Sequence, residues 1–158
     1  MKTEIGIGEK LRQEAAHVLS RLLADEVVIQ MKTKSAHWNI EGIDFYEKHV
    51  FFANQASEIE TVIDSVAERI RHLGKFVPGT LQALMELTHF HEKTPEKNDS
   101  QSFMTELLND HQSLIIKLRG IIIRSNSEFL DQGTADFITM LMQKHEKMAW
   151  MLRAHLNN

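Results

Sequence analysis

The chain contains no cysteine, which excludes disulfides, iron–sulfur clusters and thiolate zinc sites together. Proline is nearly missing too, with two among 158 residues beside seven glycines, so few positions can interrupt a helix. No run approaches the ~18 apolar residues that a membrane span requires. The opening "MKTEIGIGEKLRQEAAHV" lacks the apolar core and small-residue cleavage site of a secretory signal. A cytoplasmic protein with no membrane partner is therefore expected. An excess of positive charge is lacking as well: the formal net charge is −4, which argues against broad affinity for nucleic acid. With 42% of residues apolar and 25% charged, the chain is not disordered in composition. A single domain over residues 1–158, with 1–8 as a short N-terminal tail, is long enough to bury a real core. What the chain does have in excess is histidine and methionine, nine and eight of them. Nine imidazoles can titrate or bind metal.

Apolar residues recur at helical spacing. From Glu9 to about Asn39 there is neither glycine nor proline, and Leu11, Ala15, Val18, Leu22, Leu23, Val27 and Met31 step by three and four. Gly42 stops this helix. A second helix is expected from about Asp44 to Leu73, with Phe45, Phe52, Ala56, Ile59, Val62, Val66 and Ile70 on its apolar side and Gly74 at its end. A long connection follows, containing Pro78-Gly79 and a short helical turn around Leu81 to Leu87. The third long helix starts near Asp99 or Ser100 and runs to about Arg124, and the fourth runs from about Thr134 to Leu156. No alternating strand pattern of useful length appears. The fold class is all-α: a four-helix bundle whose long link lies between the second and third long helices, a variant that includes the ferritin-like branch.

The second helix carries the informative spacing. Asp64 and Glu68 are four apart and share a face. His49 lies fifteen residues earlier, roughly 22 Å along a helix, but rotated by only about 60°. One metal ion cannot bridge that gap within one chain. Two copies of the helix packed antiparallel about a two-fold axis near Ala56 and Ser57 would bring His49 of one to Asp64 of the other. Small side chains at Ala53, Ala56 and Ser57 permit close approach. His37, near the end of the first helix, would supply a second imidazole. Two histidines, an aspartate and a glutamate suit iron, manganese or zinc. The competing reading is that Asp64 and Glu68 form a solvated face paired with Arg69, Arg71 or His72. On that reading His37 satisfies a backbone group and Trp38 is core.

"KTKSAHWNIEGIDFYEKH", at residues 32–49, followed by "IDSVAERIRHLG", resembles the signature of the Dps family, the mini-ferritins named as DNA-binding proteins from starved cells. "GTADFITMLMQKHEKMAWMLRAHL" resembles the last helix of that family. The likeness runs from about Glu9 to Leu156. It implies a ferroxidase centre between two subunits, with His37 and His49 from one chain and Asp64 and Glu68 from its mate. It also implies a homo-oligomer, expected to be a hollow dodecamer. Such a shell oxidises Fe(II), with hydrogen peroxide the expected oxidant, stores ferric iron inside and protects against oxidative stress. Trp38 would be a trap for stray oxidising equivalents. Asp131 and Asp136 match a region that lines iron-entry pores in relatives, against which stands an ordinary helix-capping role.

One position departs from the family pattern. A carboxylate is usual four residues after the second histidine, and here that residue is Ala53. This removes one expected ligand and supports the alternative of a structural or nucleoid-associated shell protein with a degenerate metal site. The termini are not lysine-rich: the first dozen residues offer Lys2, Lys10 and Arg12 against Glu4 and Glu9, so little direct DNA binding is expected. Two Glu-x-x-His matches, Glu14–His17 and Glu86–His89, fit a within-chain di-iron bundle. At this composition about one such match arises by chance. "HFHE", His89–Glu92, is a further histidine-rich stretch.

Overall fold

The computed structural model describes residues 3–92, 97–125 and 130–156. It contains five helices and, among the described residues, no strand: α1 (Glu9–Asn39), α2 (Phe45–His72), α3 (Leu81–Leu87), α4 (Ser100–Ser125) and α5 (Gln132–Leu156). α1 and α2 form one antiparallel hairpin, and α4 and α5 a second. The link after α2 lays α3 against α1 and returns to the α1–α2 turn, where the Glu41 N–H donates to Asn98 O at 2.8 Å. α2 and α4 therefore run parallel, which is why the link must be long.

Local chemistry sets the boundaries. α2 ends where Gly74 takes φ +76°, with its N–H on Arg71 O and the Lys75 N–H on Ile70 O. That pair of bonds closes the helix with a left-handed residue. A Cβ at Gly74 would also collide with the Thr3 side chain. Gly74→Ala should therefore lower stability by about 1–2 kcal/mol, the cost of left-handed backbone for an L side chain. Thermal unfolding read against Gly74→Asn, which tolerates that conformation better, separates backbone strain from the clash. Asp99 accepts the Ser102 N–H at 2.8 Å and so starts α4. Asp131 accepts the Thr134 N–H at 3.0 Å, which starts α5 two residues before the expected Thr134.

The apolar faces meet in a core shared by all four long helices. Leu19, Leu22 and Ile29 of α1, Ile59, Val62 and Val66 of α2, Leu114 and Leu118 of α4 and Ile138 of α5 have no exposed surface. Each such side chain contributes about 1.5–3 kcal/mol on burial. Met31 and Phe45, assigned by periodicity to inner faces, are half exposed in the single chain. Trp38 and Trp150 are 63% and 62% exposed, so neither is a core aromatic of this chain.

A polar layer interrupts the core at mid-height. His145 Nε2 lies 2.8 Å from Glu26 Oε1, and His145 Nδ1 faces His111 Nδ1 at 2.9 Å, all three side chains being buried. The facing Nδ1 atoms share one proton, which fixes the order of hydrogen bonds across α1, α5 and α4. Desolvation, with a smaller push from His145, holds His111 well below the ordinary imidazole value. The native chain thus binds fewer protons there than the unfolded chain, whose imidazole charges near ~6.5. Its contribution to stability is fully present above about pH 6.5 and is lost as pH falls below it, by at most about 1.4 kcal/mol per pH unit. Urea midpoints at fixed protein concentration should fall between about pH 7.5 and 5. His111→Leu should remove about one proton from that dependence.

Candidate metal centre

The turn after α1 folds His37 and His49 against each other. His37 Nδ1 lies 2.8 Å from His49 O, and His49 Nδ1 lies 2.8 Å from His37 O. Each ring therefore donates its Nδ1 proton to the other residue's carbonyl. The His37 carbonyl sits at the end of α1, and the Glu41 N–H that would otherwise take it goes to Asn98 O. The rings stack with centroids 3.8 Å apart and planes 26° apart, and Phe45 packs against His49 at 5.1 Å. With both protons committed to Nδ1, each Nε2 keeps its lone pair. Two oriented, partly exposed imidazole donors result, in the tautomer a metal requires.

Asp64 and Glu68 stand exposed on α2. Two of the bases that might have neutralised them, Arg69 and Arg71, are engaged elsewhere. Arg69 donates to Asp131 Oδ1 at 3.0 Å and to Thr134 Oγ1 at 2.9 Å. Arg71 donates to Lys75 O and covers the Phe76 ring. Among the described residues no ion pair or hydrogen bond reaches the carboxylate of Asp64 or Glu68. Nor, among the described residues, do three His, Asp or Glu side chains converge as a metal site. The imidazole pair and the carboxylate pair thus lie apart in one chain. Both donor types suit iron.

The within-chain alternative fares differently. Glu14 and His17 are exposed on α1, and Glu86 is exposed and accepts from Gln82. These three face solvent, and His89, in the link beyond α3, is turned to Asp25 rather than to Glu86, so neither match forms a within-chain metal site. Asp131 is committed to the α5 cap and to Arg69, whereas Asp136 is exposed and accepts from Gln132 Nε2 at 2.8 Å. The buried polar residues Asp25, Glu26, His111 and His145 were missed by sequence reasoning. The available signal was Asp25-Glu26 interrupting α1's apolar stripe between Leu22–Leu23 and Val28–Ile29.

This bundle, with its imidazole pair at the α1–α2 turn and unpaired carboxylates on α2, has the architecture of a ferritin-like protein. The family model described as ferritin-like domain matches residues 16–158. The chain is 36% identical over 155 residues to an uncharacterized low temperature-induced protein of Nostoc sp., covering 98% of this chain and 87% of that one. It is 31% identical over 139 residues to the DNA protection during starvation protein of Helicobacter pylori, covering 88% and 96%. The solved structure of a Dps protein from Vibrio cholerae O1 superposes with a TM-score of 0.89 at 30% identity, over 99% of this chain and 98% of that one. That protein is described as a member of a broad superfamily of ferritin-like diiron-carboxylate proteins. The chain belongs to the ferritin-like superfamily and, within it, to the Dps family. Among the described residues no helix is long and apolar enough to cross a membrane.

Proposed function

We propose that this protein is a ferroxidase that oxidises Fe(II) with hydrogen peroxide and stores ferric iron in a hollow homo-oligomer, a dodecamer, in the cytoplasm. The observation that carries this reading is the reciprocal His37–His49 clamp, which commits both Nδ1 protons to backbone and leaves two partly exposed Nε2 lone pairs for metal. Asp64 and Glu68 of a second copy complete the site across a two-fold axis, which explains why these carboxylates are unpaired in one chain. Iron is the substrate. His37 and His49 orient it, and Asp64 and Glu68 offset its growing positive charge. Two Fe(II) give one electron each to peroxide, so 2 Fe(II) + H2O2 + 2 H⁺ yield 2 Fe(III) + 2 H2O and no hydroxyl radical. Trp38, exposed and adjacent to His37, takes up stray oxidising equivalents. Asp136 is the better placed of the two pore candidates, since Asp131 already holds a helix cap and Arg69.

Anaerobic Fe(II) addition to apoprotein, then peroxide, should give rapid ferric absorbance and iron that co-elutes with a large assembly. His49→Ala and Asp64→Ala should each slow it more than about 100-fold, beyond the usual cost of losing an outer-shell partner. Ala53 supports a second reading, a structural shell with a degenerate site. A large assembly oxidising iron no faster than buffer would decide for it. Protection of DNA would then follow from iron and peroxide removal in the first case and from nucleoid packing in the second. With −4 charge per subunit, direct binding should vanish at physiological salt in a plasmid gel shift.

A further inference from the structure

His89, prominent in the sequence but outside the iron site, occupies a defined place where the α2–α4 link crosses the bundle. Asp25, with no exposed surface, accepts the His89 ring Nδ1 at 2.9 Å, the His89 N–H at 3.0 Å and the Thr88 hydroxyl at 2.9 Å. Its other oxygen holds the Lys117 ammonium. Lys117 Nζ also lies 3.1 Å from His89 Nδ1. An ammonium offers only protons and Asp25 only lone pairs, so the shorter contact sets the tautomer. The ring proton sits on Nδ1 and is donated to Asp25. Nε2 then carries the lone pair, and it faces Ser113 Oγ at 3.3 Å. Ser113 is exposed on α4, and the His89 side chain is 31% exposed, so a reagent can reach both.

We propose that Ser113 is an activated nucleophile, with His89 as its general base and Asp25 as the residue that orients His89, and that it is acylated by activated carboxylic esters. Carboxylate, imidazole and hydroxyl stand in the order used by serine acyl-transfer centres, which arise on unrelated folds. Ser113 Oγ bonds to the acyl carbon and its proton passes to His89 Nε2. The ester C–O bond then breaks, and the leaving aryloxide takes that proton to depart as a phenol. Ser113 lies in mid-helix, where backbone N–H groups belong to the helix ladder and form no oxyanion hole. Acylation is therefore followed by slow release rather than rapid turnover.

The test uses the assembled protein and p-nitrophenyl acetate at about pH 7.5, near the range where a neutral imidazole base works. One equivalent of nitrophenol per chain should appear in a burst, with the acetyl group mapped to Ser113 by peptide mass spectrometry. Ser113→Ala should remove both, and His89→Gln should slow the burst by about 100-fold or more. A second measurement needs no acyl chemistry. The chain lacks cysteine, so Ser113→Cys carries one thiol, to be compared with Thr105→Cys, exposed two turns earlier on α4. Iodoacetamide should alkylate Cys at position 113 about tenfold faster near pH 7, as thiolate character controls that rate. His89→Gln should erase the difference. Acetylation confined to lysines, or rates at position 113 indifferent to His89, would overturn the proposal.

Discussion

Two inactive variants, refolded together, should recover about a quarter of the wild-type rate of peroxide-driven iron oxidation, as random pairing about a two-fold axis requires. One is His37→Ala/His49→Ala and the other Asp64→Ala/Glu68→Ala. Alone, each lacks half of every shared site and should be slower than wild type by more than about 100-fold. In a mixed dimer, one site receives intact imidazoles from the acid-deficient chain and intact carboxylates from the histidine-deficient chain. The other site receives neither. Half of randomly formed dimers are mixed and each has one good site of two, hence the quarter. The two donor pairs lie apart within a chain, and among the described residues Asp64 and Glu68 have no partner. No recovery on mixing, with assembly intact by gel filtration, would sink the shared site. Full activity in either parent would place the chemistry elsewhere. The size of the effect makes this the sharpest test of the reading.

Asp25→Ala should cost about 3–5 kcal/mol of stability, the usual penalty for removing one member of a buried ion pair. Four donors converge on this carboxylate, which has no exposed surface: the Thr88 hydroxyl, the His89 N–H, the His89 ring and Lys117. Without it, three polar groups and a cation lose their partner together. The damage should concentrate in the link, since Thr88 and His89 are its points of attachment to α1. Hydrogen exchange should report faster exchange at the His89 amide before any change in α2 or α5. Asp25→Asn keeps an acceptor oxygen and should recover part of the loss. A global unfolding free energy unchanged from wild type would mean that Lys117 and the link find other partners, and would remove Asp25 from the account of the fold.

Much of the fold was legible in the sequence. Helical periodicity and the positions of Gly42, Gly74 and Asp99 gave α1, α3 and the start of α4 as observed, and α2 to within a residue at each end. α5 begins at Gln132, two residues before the expected Thr134, because the Asp131 carboxylate takes the Thr134 N–H and caps the helix there, a contact that periodicity does not show. The candidate metal centre was legible in part. Its residue types and spacing stood out, but the spacing could not say how the imidazoles are held.

Spacing along a chain fixes which residues share a side of their own helix, because each residue turns by the same angle. On that ground alone Asp64 and Glu68 share a face, and one chain cannot bring His49 to Asp64. It does not fix which sides of different helices meet. That depended on the course of the link, whose return to the α1–α2 turn takes the Glu41 N–H onto Asn98 and leaves the His37 carbonyl to His49. The same packing buried Asp25 and Glu26, which sequence alone would leave in water, and gave them His89, Lys117 and His145 as partners. Buried charge is tolerated only where distant residues satisfy it, and only tertiary structure supplies those.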